Sequence, residues 1–234
     1  MVSDGLPRLV RAGLDELEKT PWWSLATVLA WIIFAGLAGI ASWIVASSYV
    51  GQVLASPLLA VSAVVVFGGL YAVGQWTMRI YVNDEMVSLF DSEFRRLAAA
   101  WTMLSFLFIV GAAFFLVPGF YVLARLAPYI PRVARGDDVF AGVTATWTGN
   151  EQYVKPVIGQ SLLFLGAALF AVAFIVGAPL LLVVGVSGVT GTLLTAGVAF
   201  VFGSAAYVVW SVAVNAYMVG VAREIGSFDE PRAL

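Results

Sequence analysis

Charge placement constrains this chain more than any motif does. Apart from Arg125, every lysine, arginine, aspartate and glutamate falls in one of four places: before Trp22, within 79–96, within 132–155, or in the tail from Arg223. The stretches between, 22–78, 97–131 and 156–222, are apolar apart from Arg125 and long enough to hold two crossings each, at the roughly 20 residues a helix needs to span a bilayer. The turns that alternate with the charged connections, at 47–57, 117–119 and 185–192, carry no charge at all. Cytoplasmic loops collect Lys and Arg, so the pattern predicts three hairpins with both termini and every ionisable connection on the cytoplasmic side. A five-span arrangement, with Leu97 to Arg132 as one tilted helix, would set the same charges on both sides of the membrane.

Composition agrees. At 62% hydrophobic and 11% charged over 234 residues, with a mean hydropathy of +0.97, the chain has more apolar surface than a soluble domain of this length buries. The net charge of -2 and the lack of a basic run give no footprint for nucleic acid. The chain has neither cysteine nor histidine, which excludes disulfides, thiol nucleophiles, zinc or haem ligation through those residues, and Ser-His-Asp or Cys-His catalysis.

The number of crossings turns on Leu116 to Gly136, LVPGFYVLARLAPYIPRVARG. Pro118 lacks an amide hydrogen and Gly119 tolerates unusual dihedrals, so the helix arriving from Leu97 is expected to stop or kink there. A fourth span then runs to about Ala134 with Arg125 near its middle, costly at membrane depth unless it snorkels or finds a polar partner. The predicted spans are 22–46, 58–80, 97–117, 119–134, 156–185 and 193–222, making a transmembrane domain over 22–225 with a cytoplasmic tail at 226–234. Trp22 and Trp23 suit an interface.

Two amphipathic helices flank the spans. Leu6, Val10, Leu14 and Leu17 recur at helical spacing among charged residues, so 1–21 is read as a cytoplasmic segment whose helix lies on the membrane surface. Gly136 can end the fourth span, and Asp137 or Asp138 can cap a helix at about 138–148 whose Val139, Phe140, Val143 and Trp147 share a face. The fold class is therefore all-α: a polytopic membrane protein of six spans in three hairpins with two interfacial helices.

The order VPGFYVLARLAPYIP, a polar joint, an amphipathic segment with Trp147 and Gly149-Asn150, then another apolar hairpin resembles the membrane domain fused to some glycerophosphodiester phosphodiesterases, and the related YciC-like membrane proteins of bacteria and archaea. The resemblance covers Leu58 to Ala222 and rests on architecture. It implies a prokaryotic plasma-membrane protein. Members of those families usually hold several arginines in the amphipathic segment, where this chain has Ala145 and Thr146. The phosphodiesterase domain depends on histidines, so the resemblance carries over no catalytic residue.

Four polar residues sit inside spans: Gln75, Arg125, Gln160 and Asn215, with Arg79 one turn beyond Gln75. At roughly 1.5 Å per residue the four lie on the order of 6 to 12 Å below the cytoplasmic boundary. They are candidates for an inner-leaflet cluster in which amides satisfy the Arg125 guanidinium and receive a lipid phosphate or a solute. The competing reading is plain interhelical hydrogen bonding, worth about 0.6 kcal/mol each. The carboxylate pairs Asp84-Glu85, Asp91/Glu93 and Asp137-Asp138 read as caps and solvated charges, so no metal or cofactor is expected. Ala35/Gly39 and Ala199/Gly203 have the four-residue spacing of closely packed helices. The expectation is a non-enzymatic scaffold or accessory module, with lipid, a membrane protein or a second copy as partner. The alternative is a small transporter built around Arg125.

Overall fold

The structure is a computed structural model and describes residues 7–45, 49–83, 92–114, 116–149, 154–183 and 188–226. All secondary structure among the described residues is helical, in the order α1 (Arg8–Glu18), α2 (Trp22–Val45), α3 (Tyr49–Asn83), α4 (Ser92–Phe114), α5 (Leu116–Arg125), α6 (Tyr129–Arg135), α7 (Val139–Gly149), α8 (Val154–Val183) and α9 (Gly188–Glu224). Among the described residues five helices, α2, α3, α4, α8 and α9, are long and apolar enough to cross a membrane. The all-helical class and the presence of helices long and apolar enough to span a membrane follow directly.

Where helices begin and end differs from the sequence reading in three places. The segment taken as the first uncharged turn is helical from Tyr49 onward, and Pro57 lies inside α3. In an apolar medium a turn strands its backbone amides, so an uncharged stretch gains by continuing the helix. α4 is described to Phe114 and α5 from Leu116, which leaves Pro118 in the first turn of a helix, where a missing amide hydrogen costs little. The stretch expected as a fourth span is two helices, divided at 126–128 next to Pro128. The possible cap at Asp91 lies outside the described residues, as do 84–90, 150–153 and 184–187.

Two compact units divide the chain. One contains residues 1–20, 75–167 and 212–234; the other contains 21–74 and 168–211, with the divisions falling inside α3, α8 and α9. The division follows charge: the second unit has no Lys, Arg, Asp or Glu, and the first has all of them.

In the uncharged unit, glycines bring helices together. Gly36 of α2 lies against the ring of Phe200, Gly39 against Ser62 and Gly69 against Ile32, so α2 meets both α3 and α9 at positions with no side chain of their own. Gly203, the partner suggested by spacing on α9, has no neighbour within 4 Å of its would-be Cβ. Leu25, Ile32, Val66, Val73 and Val208 are buried, whereas Trp31, Phe34, Phe67, Phe170, Phe174 and Leu181 are exposed. Large apolar side chains pointing outward along apolar helices are what a hydrocarbon solvent selects.

In the charged unit, α4 packs against α5, α6 and α7. The Arg96 guanidinium near the start of α4 donates to the Gly136 carbonyl, 3.2 Å away and 40 residues on. The chain therefore runs out along α4 and returns along α5 and α6 to the same end. Gly136 closes α6 with φ 124°, a value that favours glycine. Of the two carboxylates that follow, Asp138 caps α7, accepting from the Phe140 and Ala141 amides at 2.9 and 3.0 Å. Asp137 turns inward instead and pairs with Arg132 at 2.8 Å.

Candidate functional site

The polar interior of the charged unit is built from pairs of side chains joining one helix to the next. Arg125, at the end of α5 and only 7% exposed, donates from Nε to the Trp147 carbonyl at 2.8 Å and from a terminal nitrogen to the Tyr121 hydroxyl at 2.9 Å. Its guanidinium carbon lies 4.9 Å from the Trp147 ring centroid and 6.0 Å from that of Tyr121. The two rings meet edge to face. A cation inside an aromatic corner, bonded to a carbonyl in the last turn of α7, fastens α5 to α7. Arg125 fills that corner itself.

The other sequence candidates go to different places. Gln160 of α8 accepts from the Leu9 amide at 2.7 Å, which satisfies one of the unpaired donors at the start of α1. Asn215 of α9 donates to Thr77 of α3 at 2.6 Å, and both residues are buried. Gln75 and Arg79 share a face of α3 one turn apart. Arg79 pairs with Glu93 of α4. Gln75 Oε1 and Arg79 Nε are buried with no hydrogen-bond partner among the described residues. The hydrogen bonds described for Arg125 thus go to aromatic residues and backbone, and those of Gln160 and Asn215 go to α1 and α3.

Sequence reasoning missed the attachment of α1. Its buried stripe is Leu9, Gly13, Glu16 and Thr20, together with Val10, while Leu14 is exposed. Leu6, Val10, Leu14 and Leu17 define the apolar pattern, yet Gly13 lies against Phe164 and Tyr217, and the backbone of Ala12 and Gly13 meets Gly220 on α9. Glu16 accepts from Lys19 and from Arg223 Nε, each at 2.9 Å. Arg223 reaches the Tyr81 carbonyl at 2.8 Å, and the Tyr81 hydroxyl meets Thr20 at 2.6 Å. Arg8 pairs with Glu224. Tyr217 is stacked on Phe164 and hydrogen-bonded by Ser161 at 2.9 Å. Periodicity of leucines cannot show a helix seated through glycine and a carboxylate. The available signal was Gly13 itself, a poor helix former in mid-helix.

Asp138 is exposed, yet the hydrogen bonds it accepts from the Ala141 and Phe140 amides hold its carboxyl below the ordinary aspartate value. Among the described residues no three His, Cys, Asp or Glu side chains form a metal-binding group. The described carboxylates of the sequence pairs have structural work: Glu93 pairs with Arg79, Asp137 with Arg132, and Asp138 caps.

Geometry and composition together define an all-helical protein with helices of membrane-spanning length. No protein family, curated protein or solved structure matches the chain.

Proposed function

We propose that this protein is a non-enzymatic membrane scaffold or accessory module that organises lipid or a partner protein in the cytoplasmic membrane of a prokaryote. One observation carries the reading: the polar contacts described for Arg125, Asn215, Gln160, Arg223 and Arg132 each join one helix to another or close the joint between two. Arg125 fastens α5 to α7, Asn215 fastens α9 to α3, Gln160 and Arg223 fasten α1, and Arg132 closes the α6–α7 joint on Asp137. Together with glycine-mediated helix contacts, this is the construction of a rigid frame.

In this reading the chain crosses six times, with both termini cytoplasmic. The fourth crossing is α5 plus α6, which over Leu116 to Arg135 covers about 30 Å at roughly 1.5 Å per residue. The return of Gly136 to Arg96 supports it. A small permeation pathway is the second reading, favoured by the unpartnered Gln75 Oε1 and Arg79 Nε. A solute path needs polar groups held open to exchange.

The natural absence of cysteine makes the test direct. Single cysteines are placed at Glu18, Gln75 and Asn215 in cells and inverted vesicles, then treated with a membrane-impermeant thiol reagent. The scaffold reading expects Glu18→Cys to react from the cytoplasmic side alone, and Gln75→Cys and Asn215→Cys to stay unreactive from both sides. Reaction of Gln75→Cys or Asn215→Cys would replace the frame by a water-accessible path. Reaction of Glu18→Cys from outside would overturn the topology.

A further inference from the structure

The outward face of α7 divides in two. At about 3.6 residues per turn, Phe140, Val143 and Trp147 form one edge, Thr144 and Thr148 form the adjoining edge, and Gly142 and Thr146 face inward. Gly142 sits against Tyr129 and Val133 of α6, which fixes the inward side. The apolar residues that share a face therefore do not enter the core: Phe140 is 71% exposed and Trp147 37% exposed. No residue of α7 is charged.

We propose that this edge is a lipid-contact surface: α7 runs back along α6 to the end of α5, with Phe140, Val143 and Trp147 against the acyl chains of the inner leaflet and Thr144 and Thr148 turned away from them. The inference rests on the membrane reading above and adds which side of which helix the lipid covers.

Three observations assign the occupant. The edge is continuous with the outer surface of α5, because Trp147 contacts Tyr121, itself 39% exposed. α4, on which α5 and α7 both pack, has Phe106, Ile109 and Val110 exposed along its apolar length. The ends of α7 also lie at different depths. Asp138 caps the first turn at the polar end beside Gly136, whereas Arg125 holds the last turn to α5 through the Trp147 carbonyl. Between them α7 has no charged residue. By contrast α1 seats Leu9, Gly13 and Glu16 inward against α8 and α9, so the two flanking helices differ in what their inward faces engage.

The test uses the full chain in liposomes of phosphatidylethanolamine and phosphatidylglycerol, with one nitroxide-labelled cysteine at Phe140, Val143, Thr144 or Thr148, and a reference label at Ile109. Collision with molecular oxygen, which partitions into lipid, is compared with collision with a water-soluble nickel chelate. All five positions are at least partly exposed, so the variants keep the fold, which the elution profile and thermal midpoint check. The proposal expects a several-fold higher oxygen-to-nickel ratio at Phe140→Cys and Val143→Cys than at Thr144→Cys and Thr148→Cys. Equal, nickel-accessible signals at all four with Ile109→Cys in lipid would overturn the contact and leave the membrane reading standing. Dipolar broadening at Phe140→Cys that grows with protein-to-lipid ratio would assign the edge to a second copy and overturn it as well. Nickel access at Ile109→Cys would overturn the membrane reading itself.

Discussion

Replacing Arg125 by methionine separates an arginine that holds helices together from one that waits for a ligand. Methionine keeps an unbranched stem of similar reach but no donor, so the packing of the stem survives. The variant loses two hydrogen bonds from a charged donor, at 2.8 and 2.9 Å, each worth about 1.5–3 kcal/mol. It also loses the contact with the Trp147 face at 4.9 Å, worth about 1–2 kcal/mol for a desolvated cation. Against this, removing the charge of a residue only 7% exposed relieves part of its desolvation cost. The net is a loss of about 2–4 kcal/mol once that relief is counted. For a chain of this length it lowers the thermal midpoint by about 5–15 °C. Midpoints are read from loss of the monodisperse elution peak after heating in one detergent. Arg125→Lys keeps the charge without the forked geometry and falls between parent and Arg125→Met. A midpoint for Arg125→Met equal to or above the parent's would refute the reasoning, because an arginine held for a ligand contributes no stability in the ligand's absence.

Two further outcomes follow from the attachment of α1 and the cap of α7. A Cβ on Gly220 would stand 2.6 Å from the Ala12 carbonyl carbon and the Gly13 nitrogen, backbone atoms that yield only if the helix shifts, at a cost of about 1–3 kcal/mol for overpacking. Gly220→Ala is therefore expected to loosen the α1 backbone and speed brief tryptic cleavage after Arg8, Arg11 and Lys19 relative to the parent; equal cleavage in both would show that α1 is not seated there. The Asp138 carboxyl is held below its ordinary value, so its stabilisation of the first turn of α7 is complete above the ordinary aspartate pKa of about 3.9 and is lost as pH falls through the lower, folded value. Amide exchange at Phe140 and Ala141 should accelerate in that acidic window in the parent. Asp138→Asn, which keeps a capping oxygen but has no proton to gain, should show no such pH dependence, and matching profiles would remove Asp138 as the cause.

The sequence by itself determined that this chain is helical with segments long and apolar enough to span a membrane, because apolar stretches of that length and the confinement of charge, Arg125 apart, to four places are properties of composition and order alone. It also offered the local stops, Gly136 and the aspartates after it, since a left-handed C-cap and a carboxylate N-cap act within a few residues. Tertiary structure decided the rest. Pro57 reads as a break yet lies inside α3, because backbone amides in an apolar setting are satisfied most simply by continuing the helix, whereas Pro118 falls in the first turn of α5, where its missing amide costs little. Which partner each buried polar residue takes was equally out of reach. Arg125 finds Trp147 and Tyr121, Gln160 finds the start of α1, and α1 turns Gly13 and Glu16 inward in preference to Leu14. Those choices depend on which helix faces arrive within about 3 Å of one another, a distance that spacing along one chain does not encode.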